Sequence, residues 1–91
     1  MNINMERIQE IFGNSMITNI KENQEDFVQN IEYILSLGYK NVNELVELYP
    51  HTFLMDSKEF QEKVDNLLAS LGVESFEKIE ENTEIWGSLD E

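Results

Sequence analysis

The sequence predicts an all-α fold, a compact bundle of about five short helices, and three observations predict it. Apolar residues recur at spacings of three and four, as on one face of a helix. No stretch alternates apolar with polar side chains, and no Asn-Gly or Asp-Gly pair offers a hairpin turn. One phrase, Leu37-Gly38 followed by Tyr39, returns 34 residues later as Leu71-Gly72 followed by Val73. A period of that length belongs to stacked helical repeats, here two of them flanked by partial copies. The 91 residues fit one domain, residues 1–91, with a small core. At 41% hydrophobic and 27% charged, the chain is too apolar to be disordered.

The elements follow in order. Ile8, Ile11 and Phe12 predict a helix over about residues 4–12, which Gly13-Asn14-Ser15 interrupts. Met16, Ile17 and Ile20 then suit only a short turn of helix or 3₁₀. Asn23 is placed to cap the next helix, with Glu25 and Asp26 in its first turn, where the helix dipole favours negative charge. Phe27, Val28, Ile31, Ile34 and Leu35 trace its apolar face, and Gly38 ends it. Asn41 and Glu44 have the spacing of a capping box and open a short helix of Val42, Leu45, Val46 and Leu48. Pro50 biases Tyr49 away from helical geometry and closes that helix. Residues 51–55 form a buried turn. A second capping box, Asp56 with Glu59, opens the helix of Phe60, Val64, Leu67, Leu68 and Leu71. Phe76 and Ile79 predict a shorter helix over about residues 74–82, ahead of a flexible acidic tail over residues 83–91.

Laid over itself at 34 residues, the chain pairs Ile34 with Leu68, Ser36 with Ser70, Val42 with Phe76 and Leu45 with Ile79. The central copy is carried by Leu45, Pro50, Phe53, Leu54, Ser57, Glu59, Val64, Leu67, Leu68, Leu71 and Gly72. It resembles the helical repeat of the mitochondrial transcription termination factor (mTERF-type) family over about residues 30–80. The resemblance implies a solenoid-like stack of helices, and it implies nucleic-acid binding along a basic concave face.

Charge argues against that function. Nineteen acidic residues oppose six basic ones, a formal net charge of −13. Binding to phosphates needs clustered Lys and Arg. Here Arg7, Lys21, Lys40, Lys58, Lys63 and Lys78 are scattered singly. Direct nucleic-acid binding is therefore disfavoured, and a basic partner protein is favoured. No apolar run reaches the roughly 20 residues that span a bilayer. The N-terminus has no secretory pattern, and cysteine is absent, which fits a reducing, cytoplasmic setting.

No residue pattern points to catalysis, a metal or a cofactor. His51, the only histidine, has no His-Glu-x-x-His spacing around it and decorates the turn after Pro50. The serines lack a nucleophile motif and no Gly-rich phosphate loop exists. The informative stretch is Glu74 to Glu91, where seven acidic residues face only Lys78. Glu77, Glu80, Glu81 and Glu84 fall three to four apart, on one helical face. Such a ridge either is a solvated surface or meets a basic groove. Trp86 either folds back with Ile85 to cap the core, as terminal repeats require, or anchors a partner. The sequence thus predicts a non-enzymatic, protein-binding domain with Glu74, Glu77, Glu80, Glu81, Glu84 and Trp86 as partner-binding residues. Its sharpest form is a nucleic-acid mimic of the kind that phages and mobile elements use as inhibitors. The other reading is a structural or homo-oligomeric module, with Met1, Ile3, Met5 and Trp86 as the contact.

Overall fold

The computed structural model describes residues 3–90, so Met1 of the oligomer reading and Glu91 of the acidic run lie outside the described residues. Among them the chain is all helical, with seven α-helices and one 3₁₀ turn. These are α1 (Met5–Phe12), α2 (Asn14–Glu22), α3 (Gln24–Ser36), α4 (Val42–Leu48), the 3₁₀ turn (Pro50–Leu54), α5 (Ser57–Leu71), α6 (Ser75–Glu81) and α7 (Glu84–Gly87). The order of elements repeats. A short helix, a small turn or helix and a long helix make the first unit, α1 to α3, and the second, α4 to α5. A third begins as α6 and α7. Successive units stack like on like: α1 packs on α4, α2 on the 3₁₀ turn and α3 on α5.

Local chemistry accounts for the boundaries. Asn4 caps α1, its side chain accepting from the Arg7 N–H at 3.1 Å. Gly13 adopts φ 88°, left-handed backbone that glycine takes without penalty, and α2 starts at the next residue. The expected short turn is therefore a nine-residue helix, because the break needs one residue and Met16, Ile17 and Ile20 share an inward face. Asn23 acts in the opposite sense to the expectation: its Nδ2 donates to the Asn19 carbonyl at 2.9 Å, closing α2 rather than opening α3. Asn41 also leaves its helix uncapped and reaches Glu80 instead, at 3.1 Å. Asp56 caps α5 as its sequence predicts, accepting from the N–H groups of Lys58 and Glu59 at 3.2 Å.

The core runs through all the units. Ile8, Phe27, Ile31, Ile34, Val42, Leu45, Val46, Phe53, Phe60, Val64, Ile79 and Trp86 are buried. Val28 and Leu35, expected on the inner face of α3, are exposed. One helical step of about 100° turns each past the stripe of Phe27, Ile31 and Ile34. Asn30 occupies that stripe in their place. Fully buried, it donates to the carbonyls of Phe53 at 3.0 Å and Met55 at 2.8 Å, and so pins the 3₁₀ turn to α3. A carboxylate works similarly at the next joint, where Asp26 accepts from the Ser57 hydroxyl at 2.8 Å. Glu47, 8% exposed, binds Arg7 at 3.1 Å and the Asn4 N–H at 3.2 Å, clamping α1 to α4. No helix among the described residues is long and apolar enough to cross a membrane.

Candidate protein-binding surface

The acidic stretch is built on α6 and α7. Phe76 and Ile79 turn inward on α6, Ile79 to full burial. That orientation leaves Glu77, Lys78, Glu80 and Glu81 outward. The helix ends at Glu81, and Asn82 has an extended φ of −143°. The Asn82 side chain then accepts from the Glu84 N–H at 3.3 Å as α7 begins. Glu77, Glu80 and Glu81 therefore share one helix, while Glu84 belongs to the next. The single helical ridge expected of the four is broken into two segments.

Glu74, Glu77, Glu80, Glu81 and Glu84 are all exposed, and none forms an ion pair among the described residues. Lys78, the one cation among them, does not neutralise them. Its Nζ donates to the Leu71 carbonyl at 2.7 Å, where α5 leaves carbonyls without helical partners. Glu80 is partly held, accepting from Asn41. The result is a patch of negative charge set against a rigid core.

What fixes the patch in place is Trp86. Its side chain is buried, with 1% exposure. The indole packs against Phe53 and Phe60 at ring-centroid distances of 5.4 and 5.8 Å, and its N–H donates to the Thr52 hydroxyl at 2.9 Å. The Thr52 hydroxyl donates in turn to the Tyr49 carbonyl, so every polar atom in this chain is used. Tyr49 and Thr83 hydrogen-bond through their hydroxyls at 3.2 Å, and Gly87 lies against the Tyr49 ring. Of the two roles open to Trp86 in the sequence, the fold shows the first, capping the core. Residues 83–90 are docked rather than loose, since Leu89 is buried as well. Ile3 and Met5, named with Trp86 in the oligomer reading, are half-buried against the core.

Beside the patch lies a pocket of about 240 Å³, lined by Gly38, Tyr39, Lys40, Phe76, Glu77 and Glu80. Tyr39 and Phe76 form its aromatic wall, edge to face with centroids 5.2 Å apart. Burial, then the carboxylates of Glu80 and Glu44, push the Tyr39 phenol up to about 12. The sequence reading passed over this pocket. Its one signal was the pairing of Val42 with Phe76 in the repeat, which brings α6 over the turn before α4.

His51 sits on the 3₁₀ turn, its Nε2 3.7 Å from the Asp90 carboxylate and its ring edge-on to Tyr49. No group of three or more His, Asp or Glu side chains among the described residues is placed to hold a metal ion. Ser36, Ser70 and Ser88 each donate to the carbonyl three residues back. Comparison with known protein families, with curated proteins and with solved structures returned no match to this chain.

Proposed function

We propose that the protein is a binding module that uses the carboxylates of α6 and α7 to occupy a basic, nucleic-acid-binding groove of a partner protein, acting as an inhibitor by mimicry. One observation carries the reading: five exposed carboxylates on a docked, rigid unit, with the only local cation turned away to the end of α5. Rigid, closely spaced negative charge is the property by which a basic groove recognises a phosphate backbone. Like charges at this spacing destabilise the helix that bears them by a few tenths of a kcal/mol per pair. Solubility would be served as well by carboxylates spread over the surface.

The mTERF-type resemblance would place nucleic acid directly on this chain. Its cations do not support that reading. Arg7 is bound to Glu47, Lys63 to Glu59 and Lys78 to Leu71, and the remaining three are scattered.

The test is capture of basic proteins from a nuclease-treated lysate, followed by competition with duplex DNA for each captured protein. Wild type is expected to retain a nucleic-acid-binding protein that DNA displaces. The quadruple variant Glu77→Gln, Glu80→Gln, Glu81→Gln, Glu84→Gln is expected to lose it. Retention of the same protein by the variant overturns the proposal, as does tight, salt-sensitive binding of the chain itself to DNA or RNA.

A further inference from the structure

The pocket between the Gly38–Lys40 turn and α6 has a chemistry narrower than that of the surface around it. We infer that it receives one arginine side chain of the partner, its guanidinium seated between the carboxylates of Glu77 and Glu80 and the Tyr39 hydroxyl. The inference rests on the reading of α6 as the contact surface and names what that surface grips.

Four features point the same way. Tyr39 is only 4% exposed, yet its hydroxyl makes no hydrogen bond to any described group, although the side chain lines the pocket. A buried polar atom without a partner is costly, and a ligand N–H would relieve that cost. Glu77 forms no hydrogen bond or ion pair among the described residues, and Glu80 accepts from Asn41 through one oxygen only. The aromatic wall of Tyr39 and Phe76 offers π-faces and ring edges to a flat cation and to the methylenes behind it. A volume of about 240 Å³ admits a guanidinium with its alkyl stem.

Other ligand classes fit less well. An anion meets two carboxylates, and a purely apolar group leaves the phenol and Glu77 without partners. An ammonium satisfies the charge but lacks the planar fork that bridges two acceptors while stacking on a ring. The phenol stays neutral at ordinary pH, so its oxygen is free to accept. Lys40 stands at the rim without an ion pair, the resident competitor for the same carboxylates.

The experiment is a titration of the isotope-labelled full chain, followed by NMR, with N-acetylarginine methylamide. N-acetylcitrulline methylamide serves as the neutral isostere and N-acetyllysine methylamide as the ammonium control. Saturable shifts confined to Gly38, Tyr39, Lys40, Phe76 and Glu80 are expected for the arginine compound. Binding at least about tenfold weaker is expected for citrulline, and weaker binding for lysine. Glu77→Gln with Glu80→Gln should weaken the arginine compound at least about tenfold, and Lys40→Met should tighten it severalfold. Equal response to citrulline, shifts spread over every acidic patch without saturation, or an unchanged double variant overturns the inference. The two proposals fail separately. Arginine binding without capture of any basic protein removes the mimicry reading and leaves the pocket. DNA-displaceable capture without arginine binding does the reverse.

Discussion

The phrase Leu-Gly occurs twice at the end of a long helix, and its two settings differ in one respect only. Gly38 and Gly72 hold φ values of 94° and 85°, so the backbone turns the same way at both. The next residue fares differently: Tyr39 is 4% exposed and Val73 is fully exposed. α6 brings Phe76 over Tyr39, and no described element passes over Val73. Geometry here is a property of the phrase, whereas burial is a property of the neighbouring unit. The same holds for Thr52 and Trp86, which occupy one position in successive units and hydrogen-bond to each other. A small hydroxyl lies beneath, and a large indole closes over it.

Breaking that stacking gives the largest expected effect. Trp86→Ala removes the ring from between Phe53 and Phe60 and should cost about 3–5 kcal/mol. Thermal unfolding should show a midpoint lowered by more than about 10 °C. A variant within 2 °C of wild type would mean that the third unit stacks only weakly.

Alkaline pH tests the cover over Tyr39. Its raised phenol favours the protonated, folded form, so the stability it contributes is fully present below pH 10. That contribution is lost as pH rises from 10 through about 12. Denaturant titrations at pH 9 and near pH 12 should show a steeper loss for wild type than for Tyr39→Phe. Tyr33, raised first by its hydrogen bond to Asp65 and then by burial, is the internal control, to be removed as Tyr33→Phe.

Thr52→Val keeps the shape but strands the indole N–H in the core. A loss of about 1–3 kcal/mol is expected in urea unfolding, most of it absent when Trp86→Phe is already present. Additive losses would show that the hydrogen bond carries nothing.

The smallest effects separate phrase from neighbour. An added Cβ meets nothing within 4 Å at Gly38 or Gly72, so Gly38→Ala and Gly72→Ala should each cost only the left-handed penalty, about 1–2 kcal/mol. Equal costs at a covered and an uncovered turn would make the comparison sharp. Val73→Ser should stay within about 0.5 kcal/mol by the same unfolding assay.

Periodicity carried most of the helical architecture because each long helix shows its buried stripe directly, as Phe27, Ile31 and Ile34 do on α3. The cap at Asp56 and the stop at Pro50 were legible for the same reason: their partners are within a few residues. Asn23, Asn41 and Asn30 were not. An asparagine can serve either end of a helix or cross to another unit, and only the assembled neighbours decide which. The acidic stretch was visible as composition, but the break at Asn82 and the diversion of Lys78 to Leu71 depend on where α5 ends in space. The pocket was hidden for a further reason. Its walls come from residues 38–40 and 76–80, joined only when the units stack.

The burial of Trp86 also gives the molecule an optical reporter. It is the sole tryptophan, and its indole reports one event: the seating of the acidic unit on the aromatic pair beneath it. Its emission should lie to the blue while α7 is docked and move to the red on release. A partner that grips α6 without disturbing the fold would leave the colour unchanged. A partner that pries the last unit open would announce itself by wavelength, with no label attached.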